Sequence, residues 1–191
     1  ADVLAEGGRL ANPREFGAFL AALHVPHRVG QVELPLDPLS RADPTHLAKG
    51  LRTWVVRCEE AGLAPPSAAI ERMLEQTELG PSQMAPCWMH GDLHMRHPIV
   101  DEACRVVGVI DWGDLCLAPP VGDFSLYWYG LLPGQRPALL AGYGPVDPAT
   151  LAAARRWSAY VCLALMASSV SLGHDVVLAA AREGLRRTLL D

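Results

Sequence analysis

The sequence has very little lysine and no excess of positive charge. Lys49 is the only lysine among 191 residues, and 21 acidic side chains outnumber 16 basic ones, which gives a formal net charge of −5. Proteins that bind nucleic acid through its phosphates carry clustered basic side chains. The composition therefore excludes a partner that depends on such a surface, and we expect no nucleic-acid partner. The mild acidity suits a cationic substrate, but an ordinary soluble enzyme has the same balance.

Paired cysteine motifs and long apolar runs are also missing. The five cysteines are scattered and never in C-x-x-C spacing, which indicates buried thiols in a reducing cytosol. No signal peptide or lipidation motif opens the chain. The longest apolar stretch, 157–172, is shorter than the ~20 residues that a membrane span needs, and serines interrupt it. It predicts a core helix, and we expect a cytoplasmic protein with no membrane partner.

Helix start signals and one-face apolar spacing predict a helix-rich chain. The predicted N-caps are Asn12 and Asp43, each followed by proline, then Ser67, Asp123, and Asp147 with Pro148. The helices opened by Asn12, Asp43, Ser67 and Asp147 are predicted to end near Pro26, Gly62, Gly80 and Gly173, the helix opened by Asp123 includes Leu131, and a last helix covers 175–190. Segments 25–42 and 115–121 are predicted loops. His24, at the end of the first helix, is expected to have a packing or surface role.

The stretch 87–124 holds two acid-bearing segments joined by an apolar run. A short strand is predicted at 87–89, and two more at 99–100 and 106–110 are joined by a polar turn, the last of them fully buried. A tight hairpin holds its two outer ends close together. Asp92 lies just before this hairpin and Asp111 at its exit, so we expect their carboxylates to face each other. Such a pair is suited to binding a hard cation and a nucleophile.

The two segments, HGDLH at 90–94 and VIDWGD at 109–114, carry a resemblance to a known family. With the hydrophobic hairpin between them, they resemble the catalytic region of the aminoglycoside phosphotransferase family. That family is a branch of the protein-kinase-like fold that also includes choline and homoserine kinases. The resemblance implies magnesium-dependent transfer of the γ-phosphoryl group of ATP or GTP to the hydroxyl of an aminoglycoside-like sugar or a small alcohol.

The resemblance also implies roles for individual side chains. Asp92 would orient or deprotonate the substrate hydroxyl, and Asp111 would bind magnesium. His90 and His94 would support the catalytic loop, Asp114 fits the pattern as a second acid, and Asp123 would open the next helix and brace the loop.

One position departs from the family pattern. The family has an asparagine five residues after the HGD aspartate, as a second magnesium ligand, and His97 stands there. Magnesium prefers oxygen ligands, and neutral imidazole suits softer metals. His97 is a poor substitute ligand, or water takes its place, or the site is weakened. We retain His97 with Asp111 as the predicted metal ligands.

The resemblance covers only the large, helical lobe of such an enzyme. Kinase-like folds also use a strand-rich lobe with a glycine-rich loop and a lysine that grips the nucleotide phosphates. Nothing before Asp92 fits that lobe, and Lys49 falls in a helical pattern. The predicted fold is therefore mainly α (α+β), a kinase-like C-terminal lobe with a small β-hairpin, as one domain over 1–191. Residues that bind the nucleotide stay unassigned, and if these residues are the whole protein we expect weak or absent nucleotide binding.

Two other interpretations remain open. His90, His94 and His97 lie within eight residues, and histidines with carboxylates can bind zinc or iron and activate water. The chain would then be a metal-dependent hydrolase. Alternatively, the absent lysine and glycine-rich loop, together with His97, are typical of a kinase-like binding or scaffold protein with impaired catalysis.

Overall fold

The computed structural model describes residues 2–3, 10–26 and 33–190. In these ranges the chain forms seven α-helices: α1 (Pro13–Leu23), α2 (Pro44–Glu60), α3 (Ser67–Gln76), α4 (Ser125–Tyr129), α5 (Arg136–Tyr143), α6 (Pro148–Leu172) and α7 (Asp175–Leu189). It also forms five short strands: β1 (Asp2–Val3), β2 (Cys87–Met89), β3 (Pro98–Val100), β4 (Val106–Val109) and β5 (Cys116–Ala118). The helix-rich class with a small β component is confirmed.

The strands form two small antiparallel sheets. In one, β3 lies between β1 and β4, with Ile99 opposite Gly108. This pairing confirms the predicted hairpin. In the other, β2 pairs with β5 so that Met89 lies opposite Cys116. The prediction of a loop over 115–121 was wrong at β5, because three residues before a proline pair show no periodicity and become a strand only when β2 is beside them.

The prediction that the second hairpin strand is fully buried was also wrong. Val107 is 62% exposed and Ile110, just after β4, is 49% exposed. Only Val106 and Val109 pack against the core. Within the described residues β4 is an edge strand with one covered face, and an apolar run alone does not reveal whether both faces are covered.

Two of the predicted helix caps are confirmed. The Asp43 carboxylate accepts hydrogen bonds from the main-chain N–H groups of Thr45 and His46 at the start of α2. Asp147 does the same for the Thr150 N–H at the start of α6. Both are followed by proline, which has no N–H to satisfy at the first helical position.

Of the other three predicted caps, Asn12 occupies the N-cap position of α1 without capping through its side chain, and the predictions for Ser67 and Asp123 were wrong. Asn12 makes no cap bond; its side chain instead accepts from the Val106 N–H at 2.9 Å and donates to the Val106 carbonyl at 3.4 Å, which ties α1 to β4. Ser67 is the first residue of α3, and its hydroxyl donates to the Pro65 carbonyl. Asp123 does not cap α4, because its carboxylate is used elsewhere.

The core is organised around α6, which packs against α2, α4 and α7. Ala154, Ala159, Cys162 and Leu163 of α6 are fully buried, as predicted for this apolar stretch. None of the helices in the described ranges has the length and hydrophobicity needed to cross a membrane. All five cysteines are free. The helices thus form a support on which the loops between the short strands are held.

Candidate active site

The loop between β2 and β3 and the turn after β4 bring the two predicted acids together at one side chain. The His97 ring lies between them: its Nδ1 atom is 3.9 Å from Asp92 Oδ2, and its Nε2 atom is 3.5 Å from Asp111 Oδ2. His97 is buried, whereas the Asp92 side chain is 35% exposed and the Asp111 side chain 65%. The site therefore has one partly enclosed carboxylate and one that is open to solvent.

His97 is oriented by the loop that it belongs to. Its Nδ1–H group donates to the main-chain carbonyl of Asp92 at 2.5 Å. Since Nδ1 carries the proton, the lone pair of a neutral ring is on Nε2, the atom that faces Asp111. The His94 ring lies against the His97 ring with their centroids 3.9 Å apart, and His94 Nε2 is 3.6 Å from Asp92 Oδ2.

His90 links the two acid-bearing segments from beneath. Its Nδ1 atom accepts the Asp92 main-chain N–H at 3.3 Å, so its Nε2–H must be the donor to the Ile110 carbonyl at 2.9 Å. The ring is fully buried and packs 4.6 Å from the Trp112 ring. Both nitrogens of His90 are therefore occupied, and the predicted three-histidine metal cluster is not formed.

Asp123 holds the start of the loop between β2 and β3. Its carboxylate is fully buried and accepts the main-chain N–H groups of His90 at 2.8 Å and Gly91 at 3.1 Å. It also accepts a hydrogen bond from His24 Nε2 at 3.0 Å. Buried polar groups need such partners, because an unpaired one costs a large part of its hydration free energy. Asp123 thus fixes the main chain two residues ahead of Asp92.

His24 was missed as part of the site by sequence reasoning, which gave it a packing or surface role. It is buried, with Nε2 toward Asp123 and Nδ1 3.1 Å from the Tyr143 hydroxyl at the end of α5. A neutral ring that donates through Nε2 and accepts through Nδ1 satisfies both contacts. The only sequence signal was a histidine closing an apolar helix face, and its partner lies 99 residues away.

Two residues in this region have unusual main-chain conformations. Gly91 has φ +86°, and a Cβ atom there would lie 2.2 Å from the main-chain oxygen of Asp114. Only glycine can adopt this conformation with so close a neighbour. Asp111 has φ +64°, which is uncommon for a residue with a side chain. The two acid-bearing segments are therefore packed main chain against main chain.

Burial and neighbouring charges shift two ionisable groups of the site. Burial raises the pKa of the Asp92 carboxyl; the nearby His97 lowers it, and the Asp114 carboxylate raises it. Burial lowers the pKa of the His94 ring to about 3, and His97 acts in the same direction. His94 is therefore neutral at physiological pH. Asp92 gains affinity for a proton, which is the property that a general base needs.

The donor set fits a divalent cation in part. Mg²⁺ binds through one or two carboxylates and the phosphates of its substrate, and the exposed Asp111 carboxylate suits that role. His97 presents a nitrogen where Mg²⁺ prefers oxygen. The three residues Asp92, His94 and His97 offer ligand atoms that all lie within 4.8 Å of one another.

The fold and the site together define the helical lobe of a kinase-like phosphotransferase. The chain belongs to the phosphotransferase enzyme family, whose model matches residues 6–157. Over a segment of 39 residues it is 46% identical to the uncharacterized protein YcbJ of Bacillus subtilis (strain 168), a match that covers 20% of this chain and 13% of YcbJ. The predicted family resemblance is confirmed.

Solved phosphotransferases share the fold. The match to macrolide 2'-phosphotransferase type I covers 94% of this chain and 60% of the length of that protein, with 20% sequence identity and a TM-score of 0.53. The match to the GDP complex of aminoglycoside 2'-phosphotransferase-IIIa covers 99% of this chain and 67% of that protein, with 14% sequence identity and a TM-score of 0.56. The match to the AMP complex of spectinomycin phosphotransferase covers 98% of this chain and 65% of that protein, with 18% sequence identity and a TM-score of 0.54. This chain therefore spans about two thirds or less of these structures.

Proposed function

We propose that the chain is the helical lobe of a small-molecule kinase that transfers the γ-phosphoryl group of ATP or GTP to a substrate hydroxyl with the help of Mg²⁺. The observation that carries the proposal is the position of His97 between two carboxylates, 3.9 Å from Asp92 and 3.5 Å from Asp111. One carboxylate is partly desolvated and the other is open. This combination suits phosphoryl transfer, which depends on positioning and charge stabilisation more than on covalent chemistry.

In this proposal Asp92 is the catalytic residue. It accepts a hydrogen bond, and then the proton, from the attacking hydroxyl, and its raised pKa favours that transfer. The loop hydrogen bonds of His90 and Asp123 fix its main chain. His94, Asp114 and Asp123 support the loop and have no chemical step of their own.

Asp111 and His97 are the proposed metal ligands. A Mg²⁺ ion, when bound there, would neutralise charge on the nucleotide phosphates. Asp111 is accessible enough to reach phosphate-bound metal, and the His97 ring is held by the Asp92 carbonyl with its free lone pair toward Asp111. His97 therefore fixes the separation of the two acids, whichever cation they bind.

The proposal also covers the two substrates, the domain organisation and the cellular location. Solved relatives of the same fold are complexes with GDP or AMP, and one has kanamycin as well; this supports a nucleotide and an aminoglycoside-like or small alcohol acceptor. We propose that residues 1–191 act as one helical domain and that a separate strand-rich lobe grips the nucleotide. A cytoplasmic location is also proposed, since the five cysteines are free.

The test is phosphotransfer by the whole protein with Asp92 replaced. We expect Asp92→Asn to lower kcat by about 10²–10⁴-fold, the usual contribution of a general base, with the fold unchanged by circular dichroism. Glu102→Gln is the matched control, because Glu102 is an exposed carboxylate at the far end of the β3–β4 hairpin. A kcat for Asp92→Asn equal to that of the control would refute the role of Asp92.

A further inference from the structure

The group Asp92, His94 and His97 has a donor set that magnesium chemistry does not explain. Two imidazole rings and one carboxylate place a ligand atom each within 4.8 Å of one another. Both rings approach the same carboxylate oxygen: His94 Nε2 is 3.6 Å and His97 Nδ1 is 3.9 Å from Asp92 Oδ2. Zinc–ligand bonds of about 2.0–2.1 Å put tetrahedral ligand atoms roughly 3.3–3.4 Å apart. The two distances to Asp92 Oδ2 would have to shorten by about 0.3–0.6 Å to reach that spacing.

The His97 ring would bind an ion shared with Asp92 through Nδ1, the nitrogen nearer that carboxylate. A histidine that binds a metal through one nitrogen almost always donates its other N–H to a carbonyl or carboxylate, which fixes the ring. His97 donates Nδ1–H to the Asp92 carbonyl at 2.5 Å. Binding a metal through Nδ1 would replace that hydrogen bond and move the proton to Nε2, which lies 3.5 Å from Asp111 Oδ2 and could donate to that carboxylate instead.

The His94 ring needs one change to become a ligand. Its Nδ1 atom accepts the solvent-exposed main-chain N–H of Arg96 at 3.2 Å, so its proton is on Nε2. Binding a metal through Nε2 moves that proton to Nδ1 and releases the Arg96 N–H to water. Exchanging an exposed hydrogen bond for one to water costs little, because the N–H keeps an acceptor.

We propose that Asp92, His94 and His97, with Asp111 across the His97 ring, form a binding site for a borderline divalent transition ion of the Zn²⁺ type in preference to Mg²⁺. Imidazole nitrogen favours such ions, and Mg²⁺ favours an all-oxygen octahedron. The site itself does not depend on the proposed function. Its consequence does: an ion on the Asp92 carboxylate occupies the group that would accept the substrate proton, so it would inhibit phosphotransfer.

The test measures metal binding directly, with the chain free of nucleotide. Cobalt(II) serves as a spectroscopic probe, because its visible absorption reports tetrahedral nitrogen and oxygen ligation. A Cys104→Ser background removes the one exposed thiol. We expect one equivalent of Co²⁺ to bind, Zn²⁺ to displace it at equal concentration, and Mg²⁺ in large excess to leave it in place. Displacement by Mg²⁺ at a concentration similar to that of Zn²⁺, or no binding at all, would overturn the proposal.

Variants then locate the site. We expect His94→Ala and His97→Asn each to weaken Co²⁺ binding by more than the about 10–100-fold that is typical of changes around the ligands, with the fold checked by circular dichroism. His46→Ala is the matched control, since His46 is exposed on α2. Equal affinity in all three variants would mean adventitious binding and would refute the site. Phosphotransfer is not measured, so failure here leaves the proposed kinase function standing, and loss of the kinase function leaves this site standing.

Discussion

Asp123 allows the stability of the loop between β2 and β3 to be tested by removing a single buried carboxylate. The carboxylate has no solvent exposure and accepts three hydrogen bonds, from the N–H groups of His90 and Gly91 and from His24 Nε2. Replacing Asp123 by alanine leaves all three donors without an acceptor. The expected result is a large loss of stability that begins at the loop.

The magnitude follows from the number of donors. A buried donor left unsatisfied costs about 1–3 kcal/mol, so three donors give roughly 3–6 kcal/mol once some water enters the space. Asp123→Asn should cost less, about 1–3 kcal/mol. Its amide oxygen can take the place of Oδ2 and keep the His90 and His24 bonds, while its NH₂ group faces the Gly91 N–H. Domains are stable by only about 5–15 kcal/mol, so the alanine variant loses a large share.

The assay is urea unfolding followed by tryptophan fluorescence, together with amide hydrogen exchange at His90 and Gly91. We expect the order wild type, Asp123→Asn, Asp123→Ala in decreasing stability, with faster exchange of the Gly91 amide already in the asparagine variant. Asp175→Asn is the control, because Asp175 is exposed in the first turn of α7. An alanine variant within about 1 kcal/mol of that control would refute the reasoning, since one such loss is no more than a single hydrogen bond.

Two further substitutions test the main-chain contacts around the site. Gly91→Ala should lower the free energy of unfolding by far more than the about 1–2 kcal/mol that a left-handed alanine costs by itself, because its Cβ atom would lie 2.2 Å from the main-chain oxygen of Asp114. Gly62→Ala is the control in urea unfolding, since Gly62 has φ +75° and a Cβ atom there would have no neighbour within 4 Å. Asn12→Ala should cost about 1–2 kcal/mol for two lost hydrogen bonds and speed exchange of the Val106 amide, and unchanged exchange would contradict the link between α1 and β4.

Local signals in the sequence predicted some elements and failed at others for a physical reason. Asp43 and Asp147 precede proline and cap their helices, and Asn12 precedes proline in the same way but bonds to β4. A capping side chain chooses between its own helix and any partner that the tertiary structure brings near. The sequence shows the first option only. The same limit explains why β5, which exists through its pairing with β2, was predicted to be loop.

The residues around the two acids also fall into those that the sequence reveals and those that only the tertiary structure brings together. The two sequence motifs, HGDLH and VIDWGD, identified Asp92, Asp111 and the nearby histidines, because all of these residues lie on one short stretch of the chain. The hydrogen bond from His24 to Asp123 joins residues 99 apart, and no periodicity or spacing rule connects them. Sequence reasoning therefore found the side chains of the two acid-bearing segments and missed the contact that supports them from the core.

The different exposures of the two carboxylates are the strongest argument that they have different tasks. Asp92 is 35% exposed and burial raises its pKa, whereas Asp111 is 65% exposed at the end of an open edge strand. A general base gains from partial desolvation, because its proton affinity rises. A ligand for a phosphate-bound cation must instead be reached from outside. The difference in exposure therefore supports the proposal that Asp92 is the base and Asp111 the ligand of a phosphate-bound cation.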